Sequence, residues 1–294
     1  MTKSVKNIFL FLTAFIWGMA FVAQSVAMDS ISPYTFNSIR FIIAALLLFL
    51  FCLFSGRYKN VNLKALIKSG AICGFVLFSA STLQQLGMVS TGAGKAGFIT
   101  VFYIVFVPML SVFTKKKPGL KTWICVGVAL YGLYLLCMKG DFSIETSDFF
   151  ILMCAFMFAV HIMVIDKFGA DFDPITLSSV QFITAAIIGL PFLFILPVNS
   201  GDIQAAMVPI LYASVMSIGV GYTFQAIGQK DNDPTSVSLI LSLESVFAAV
   251  GGFFILHESF SLRELIGCIL IFIAICIIQL PDRKKDSLSA SQSV

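Results

Sequence analysis

Charged residues are scarce in this sequence. Of its 294 residues, 12% are charged and 59% are hydrophobic, and the mean hydropathy is +0.98. Soluble domains carry about 25% charged residues, roughly twice this share. So low a content of charge excludes a water-facing globular domain as the main unit of the chain and favours a membrane protein.

The sequence also lacks the motifs of common enzymes and metal sites. It contains no Gly-x-Ser-x-Gly and no His-Glu-x-x-His, and its seven cysteines lie in apolar stretches without ligand-like spacing. The Asp-Asn-Asp at 231–233 has no second acidic cluster, so a turn before Pro234 is its simpler interpretation. We therefore expect no enzyme, cofactor, metal site or disulfide framework, and an integral membrane transferase is the least favoured function.

Long apolar runs, in contrast, recur along the whole chain. A helix needs about 20 apolar residues to cross a bilayer, and irregular backbone cannot face lipid. The sequence therefore predicts an all-α integral membrane protein of ten transmembrane helices, called spans 1 to 10 in chain order. They cover residues 7–27, 34–54, 66–87, 96–114, 122–138, 147–165, 175–197, 207–228, 236–256 and 262–280.

The positive charges are distributed unequally between the two ends of these spans. With the N-terminus in the cytoplasm, 15 of the 19 Lys and Arg residues lie on the cytoplasmic side, and Lys95, Lys139 and Arg263 lie on the outer side. Arg40, the remaining one, lies inside span 2. This bias predicts that both termini are cytoplasmic. Topology thus explains the net charge of +4, and we expect no nucleic-acid partner.

The second half of the chain repeats the first at a constant offset. "PYTFNSIRFIIAALL" (33–47) aligns with "PITLSSVQFITAAII" (174–188) with seven identities in fifteen positions. The same offset pairs Arg40 with Gln181 and Gln84 with Gln225, and a slightly shorter one pairs Gly127 with Gly267. Each half holds five spans. Because five is odd, the second half enters the membrane in the opposite orientation.

We therefore predict two inverted five-helix repeats, residues 1–140 and 141–281, followed by a disordered cytoplasmic tail, 282–294. Inverted repeats are typical of transporters. Two similar units in opposite orientations can exchange conformations, which opens a central site to one side of the membrane and then to the other.

Several stretches resemble the EamA-domain branch of the drug/metabolite transporter superfamily. They are "FIWGMAFVA" in span 1, "SPYTFNSIRFIIAALLL" in span 2, "TGAGKAGFITVFYIVFVPML" in span 4 and "PTSVSLILSLESVFAAVGGFFILHESFSLRELIGCILI" in spans 9 and 10. The resemblance covers nearly the whole chain. It implies a ten-helix carrier of small metabolites, commonly amino acids and often outward, with a central cavity. It also implies that spans 5 and 10 stand aside as a packing or dimer surface.

The repeat and the resemblance together predict a secondary transporter in a bacterial-type inner (plasma) membrane. We expect it to export a small organic metabolite, such as an amino acid, by alternating access through a cavity lined by spans 1–4 and 6–9. Its expected partners are this substrate and the lipid bilayer, with a coupling proton and a homodimer through spans 5 and 10 left open. A flippase for a lipid-linked carrier is the alternative function.

Polar and aromatic residues within the spans are the candidates for the cavity, because ionisable side chains in lipid are costly. Glu244 is the deepest charge, about 12 Å from the predicted cytoplasmic edge at 1.5 Å per residue. It either binds an amine or carries a coupling proton, or it forms an interhelical tie. Arg40 lies about 10 Å below the predicted outer end of span 2. It snorkels outward, lines the cavity or clamps a neighbouring helix.

Two further candidates have alternatives of their own. Lys95 opposes the dipole at the start of span 4 and either attracts an anion or snorkels at the membrane edge. His161 is either a proton-linked switch or a core histidine. The candidate substrate-binding residues are Trp17, Arg40, Gln84, Lys95, Tyr103, His161, Tyr222, Gln225 and Glu244.

Overall fold

The computed structural model of the chain describes residues 1–91, 93–114, 118–137, 145–196, 200–255 and 261–280. In these ranges the only regular secondary structure is helical. The predicted tail, 282–294, and Lys139 lie outside the described residues.

The described part of the first half contains six helices. They are α1 (Lys3–Met28), α2 (Pro33–Phe54), α3 (Leu63–Met88), α4 (Ala93–Thr100), α5 (Tyr103–Ser111) and α6 (Leu120–Cys137).

The second half contains more and shorter elements. They are α7 (Thr146–Gly169), α8 (Pro174–Gly189), α9 (Phe192–Ile195), α10 (Ser200–Ala205), α11 (Met207–Leu211), a π-helical segment (Tyr212–Tyr222), α12 (Thr223–Gln229), α13 (Pro234–Leu241), α14 (Leu243–Ile255) and α15 (Leu262–Gln279).

Among the described residues, eight helical segments are long and apolar enough to cross a membrane, and they lie at spans 1–3 and 6–10. Two shorter apolar helical stretches lie at spans 4 and 5: Lys95–Ser111, which comprises most of α4 and all of α5, and Leu120–Leu136 in α6. The chain is therefore a multi-pass membrane protein, and its described part is all-helical. The count of ten spans and the cytoplasmic termini stay predictions.

Three helices begin with a proline behind a capping side chain. Ser32 accepts from the Thr35 amide ahead of Pro33, and Asp173 accepts from the Thr176 amide ahead of Pro174. In the same way, Asp233 accepts a 2.9 Å hydrogen bond from the Ser236 amide ahead of Pro234. Such caps satisfy amides that have no partner within the helix. The Asp-Asn-Asp at 231–233 thus forms a turn and a helix cap, with Asp231 at φ 61°.

The two halves interlock. Helix α2 packs along its repeat counterpart α8, and α6 packs along its counterpart α15. Helix α1 lies against α14, α12 and the π-helical segment, and its counterpart α7 lies against α3 and α5. Pairs of counterparts that pack on each other place the pseudo-two-fold axis of the repeat between them. The proposed role of α6 and α15 as a dimer surface stays a prediction.

A glycine brings α1 against the interior face of α14. A Cβ atom at Gly18 would lie 2.6 Å from the Glu244 carbonyl oxygen and 2.5 Å from the Phe247 Cβ. Small residues allow this close approach of helices in membranes. The contact places α1 next to the deepest carboxylate of the second half.

Candidate functional site

Spans 4 and 9 are interrupted at equivalent positions of the two repeats. Helix α4 ends at Thr100 and α5 begins at Tyr103, while α13 ends at Leu241 and α14 begins at Leu243. The offset of the repeat aligns Thr100 with Leu241. Ser242, in the second interruption, donates from its hydroxyl to the Leu239 carbonyl at 2.7 Å, a bond that competes with the helical ladder. At Phe102 and Ser242 the backbone stays in the right-handed helical region, so these breaks are local irregularities of the two spans and not unwound segments.

A cavity of about 30 Å³ lies between these interruptions. Its volume suffices for one or two water molecules. Fifteen residues line it: Trp17, Phe21, Gln24, Arg40, Gln84, Thr100, Tyr103, Phe158, His161, Ile162, Ser217, Tyr222, Gln225, Leu241 and Glu244.

Ten of these fifteen lining residues form five pairs of repeat counterparts. The members of every pair lie 141 residues apart in the chain, and the pairs are Trp17/Phe158, Phe21/Ile162, Gln84/Gln225, Thr100/Leu241 and Tyr103/Glu244. Each pair contributes one residue from each half to the same cavity. Such pairs lie on opposite sides of the axis that relates the two halves. The cavity therefore lies on the pseudo-two-fold axis.

Glu244 is joined to its own repeat counterpart. The Tyr103 hydroxyl donates a 2.9 Å hydrogen bond to Glu244 Oε1, and both side chains are buried, at 3% exposure each. The three ion pairs found among the described residues do not include Glu244. The carboxylate is thus held across the axis by a neutral donor rather than by a cation.

Arg40 is buried at 3% exposure, so it does not snorkel. Its Nη1 donates to Gln24 Oε1 at 2.6 Å, and the same oxygen accepts from Gln85 Nε2 at 2.5 Å. The guanidinium carbon lies 5.1 Å from the centroid of the Phe36 ring and 5.6 Å from that of Phe41. Arg40 therefore both lines the cavity and ties α2 to α1.

The second half has the same tie with different chemistry. Gln181, the counterpart of Arg40, hydrogen-bonds through Oε1 to His161 Nε2 at 3.0 Å, which ties α8 to α7. The His161 ring also meets the Tyr222 ring edge to face at 5.7 Å. Each half thus joins its second span to its first by one polar pair. Because only Arg40 of the pair Arg40/Gln181 lines the cavity, the cavity gains a positive charge from one half alone.

The π-helical segment adds a second asymmetry. Its Ser217 carbonyl accepts a 3.0 Å hydrogen bond from Trp17 Nε1. A Cβ atom at Gly221 would lie 2.6 Å from that same nitrogen. The equivalent residues of the first half, 71–81, belong to the regular helix α3. Wide helical turns of this type are frequent at functional sites, and the sequence pattern did not predict this one.

Buried polar atoms without a hydrogen-bond partner concentrate near the cavity. Of nine such atoms in the described part of the chain, three belong to lining residues: Arg40 Nε, His161 Nδ1 and Gln225 Oε1. Three others belong to residues next to lining residues in the sequence or on the same helix face: Ser81, Gln85 and Ser245. Polar groups left unpaired inside a protein call for water or a ligand.

Eight of the nine candidate residues line this one cavity, and Lys95 does not. Its ammonium group lies 2.6 Å from Asp148 Oδ2, and Thr91 donates to the other oxygen of that carboxylate at 3.2 Å. The sequence reasoning missed both Asp148 and the lining residue Gln24. Their polar side chains, near the start of span 6 and the end of span 1, were the available signal in the sequence. Across the described ranges, no group of three or more His, Cys, Asp and Glu residues is arranged to hold a metal ion.

Comparison with known proteins identifies a family. The EamA-like transporter family matches residues 5–138 and again residues 146–280. A protein of Archaeoglobus fulgidus named an uncharacterized transporter is 30% identical over 283 residues, which are 95% of this chain and 88% of that protein. A chloroplast WAT1-related protein of Arabidopsis thaliana is 25% identical over 91% of this chain and 68% of its own length.

One further relative matches about half of the chain, and a solved structure shares its fold. An S-adenosylmethionine/S-adenosylhomocysteine transporter of Chlamydia muridarum is 28% identical over 138 residues, 45% of this chain and 42% of that protein. A solved crystal structure shares the fold with a TM-score of 0.75 at 15% identity, over 95% of this chain and 97% of the other. The family match spans both halves, and the chain belongs to the EamA-like transporter family.

Proposed function

We propose that this protein is a secondary transporter that moves a small organic metabolite by alternating access, with the axial cavity as its binding site. The observation that carries this proposal is the lining of the cavity by five pairs of repeat counterparts. A site on the axis between two inverted units keeps equivalent surroundings when the units exchange conformations. The same site can therefore face each side of the membrane in turn.

The size of the cavity supports a cycle with a closed stage. At about 30 Å³ it accepts water but no metabolite. The interrupted helices of spans 4 and 9 are the elements that we expect to move when the cavity enlarges. The helix assignment breaks off directly after Thr100 and Leu241, two lining residues.

The chemistry of the lining favours an amphipathic, zwitterionic solute such as an amino acid. The cavity holds an acidic group, Glu244, and a basic group, Arg40, that are not paired with each other. Trp17, Phe21 and Tyr222 supply aromatic surface. The Chlamydia muridarum relative is named for two solutes that contain an amino-acid group, which agrees with this choice.

We place the protein in the plasma membrane of a bacterial-type cell and propose export as its direction. The resemblance described above supports both proposals, and the distribution of Lys and Arg supports cytoplasmic termini. A flippase for a lipid-linked carrier is the second candidate. It is less favoured, because two charged groups and several amides line the cavity and a lipid chain prefers an apolar path.

Purified protein in liposomes tests the function directly. Flux of labelled amino acids and of labelled S-adenosylmethionine is measured against empty liposomes. We expect saturable, protein-dependent flux of at least one zwitterionic solute. Absence of all solute flux together with scrambling of a fluorescent lipid would replace the transporter proposal by the flippase.

Glu244 is our candidate for the residue that couples transport to the movement of a proton. Glu244→Gln removes the charge but keeps an oxygen that accepts from Tyr103, so we expect a normal fold, transport at least tenfold slower and a flat pH profile. The other ionisable lining residues are Arg40, Tyr103, His161 and Tyr222. Tyr103→Phe is the control, because it removes this hydrogen bond, which Glu244→Gln keeps, and leaves the carboxylate. An unchanged rate and pH profile in Glu244→Gln would refute the coupling role.

A further inference from the structure

The Arg40 guanidinium has unused hydrogen-bonding capacity. An arginine carries five N–H donors and always keeps its charge. In the structure one hydrogen bond is made by this group, from Nη1 to Gln24 at 2.6 Å, and Nε is buried without an acceptor. With 3% of the residue exposed, bulk water does not supply the missing partners.

Arg40 also has no counter-ion among the described residues. The ion pairs in this part of the chain are Lys6–Asp231, Arg57–Asp173 and Lys95–Asp148. A buried charge without an opposite charge is costly in a protein and more so in a membrane. An anionic group arriving in the cavity would remove this cost, and the interaction would discriminate strongly between charged and neutral ligands.

The orientation of the guanidinium is fixed by its neighbours. Gln24 Oε1 accepts from both Arg40 and Gln85, so the three side chains form one chain of hydrogen bonds. The rings of Phe36 and Phe41 lie within 5.6 Å of the guanidinium carbon. A planar fork held in this way is preorganised for an oxyanion with two oxygens.

The repeat shows that the fold itself does not require the charge. Gln181 occupies the equivalent position, makes the equivalent tie between helices and carries no charge. Gln181 is absent from the cavity lining, whereas Arg40 is part of it. The positive charge therefore coincides with access to the cavity and not with the helix contact.

We propose that Arg40 binds the carboxylate of the transported solute, and that Gln24 and Gln85 are positioning residues that hold its guanidinium. This assignment rests on the proposed transport function. It makes Arg40 the residue that selects solutes with a free carboxylate over their neutral derivatives.

The test compares two ligand pairs that differ only in the carboxylate. Purified protein in detergent is titrated with phenylalanine and phenylalaninamide, with leucine and leucinamide, and with inorganic phosphate, and ligand binding is followed by the shift in thermal unfolding. The variant is Arg40→Gln, which introduces the side chain found at the equivalent position 181. Arg57→Gln is the matched control, because it removes an arginine that lies outside the cavity.

We expect at least one of the two acids to bind the parent at least tenfold more tightly than its amide, as for loss of a charged hydrogen-bonded pair. Arg40→Gln should lose this preference without weakening amide binding, and Arg57→Gln should retain it. If Arg40→Gln does not fold, Arg40→Lys keeps the charge without the fork and should show a smaller preference of the same sign.

Several results would overturn the assignment. They are equal binding of acid and amide by the parent, no stabilisation of the parent by either acid, and a preference that survives in Arg40→Gln. Arg40-dependent binding of phosphate alone would reassign the site to a phosphate group. Solute flux in liposomes is a separate measurement. Flux without a carboxylate preference refutes the role of Arg40 alone, whereas absence of flux refutes the transport function.

Discussion

The two halves of this protein follow the same path and carry different chemistry. Both interrupt their fourth span beside the cavity, and both tie their second span to their first by one polar pair. The chemistry at two pairs of equivalent positions differs, however. Arg40 lines the cavity whereas its counterpart Gln181 does not, and Tyr103 lines it opposite its counterpart Glu244. The contrast indicates that the backbone scaffold needs the symmetry and that the bound solute does not share it. A solute with a positive and a negative end fits such a site.

We expect the largest effect from exchanging the side chains of Tyr103 and Glu244, the two repeat counterparts that are hydrogen-bonded across the axis. The double variant Tyr103→Glu/Glu244→Tyr keeps the composition and a hydroxyl-to-carboxylate pair, but moves the carboxylate to α5. We expect near-parental thermal stability and transport reduced about a hundredfold, because the carboxylate changes its position relative to Arg40.

The single variant Tyr103→Glu is the control for this exchange. It places two buried carboxyl groups near each other without the tyrosine hydroxyl between the two helices, and should be less stable than the double variant. Both are compared by thermal unfolding in detergent and by flux in liposomes. Parental flux in the double variant would show that the halves are chemically interchangeable, contrary to the comparison above.

The next effect concerns the two ties between first and second spans. Gln24→Leu leaves the Arg40 cation without its acceptor and should lower the free energy of unfolding by about 2–3 kcal/mol. Gln181→Leu leaves a neutral His161 nitrogen unpaired and should cost about 1 kcal/mol. Thermal or denaturant unfolding of the two variants in one detergent measures the difference. Equal losses would mean that the charge adds nothing to the first tie.

The last effect lies away from the cavity and distinguishes two glycines that the repeat pairs, Gly127 and Gly267. A Cβ atom at Gly267 would lie 2.5 Å from the Gly132 carbonyl oxygen, whereas one at Gly127 would meet nothing within 4 Å. Gly267→Ala should therefore destabilise the α6–α15 contact by about 1–3 kcal/mol. Gly127→Ala should be neutral or slightly stabilising, because alanine favours a helix. An equal loss of thermal stability in both variants would contradict the prediction, because it would show that the close contact at Gly267 does not set the difference.

Much of the site was predictable because polar residues are rare in this chain. In an apolar span each one stands out, and the cost of burying it in lipid implies a cavity or a partner. This reasoning selected eight residues that line the cavity. Lys95 lies outside that lining and pairs with Asp148, which is 53 residues away in the chain and which no local pattern joins to it. The reasoning missed Gln24 for a similar reason, since its importance comes from contacts with Arg40 and Gln85 on two other helices.

The sequence by itself determined that this is a membrane protein, that its two halves are repeats and that it belongs to its family. These follow from the composition, the apolar runs and the constant offset between the two halves, all of which can be read along the chain. Only the tertiary structure decided that Arg40 is buried beside the cavity and that Tyr103 meets Glu244. It also decided that span 8 contains a π-helical segment where its counterpart is regular. The physical reason is that these features depend on which faces of distant helices meet, and a hydrophobic pattern specifies the helices without fixing their rotation or their partners.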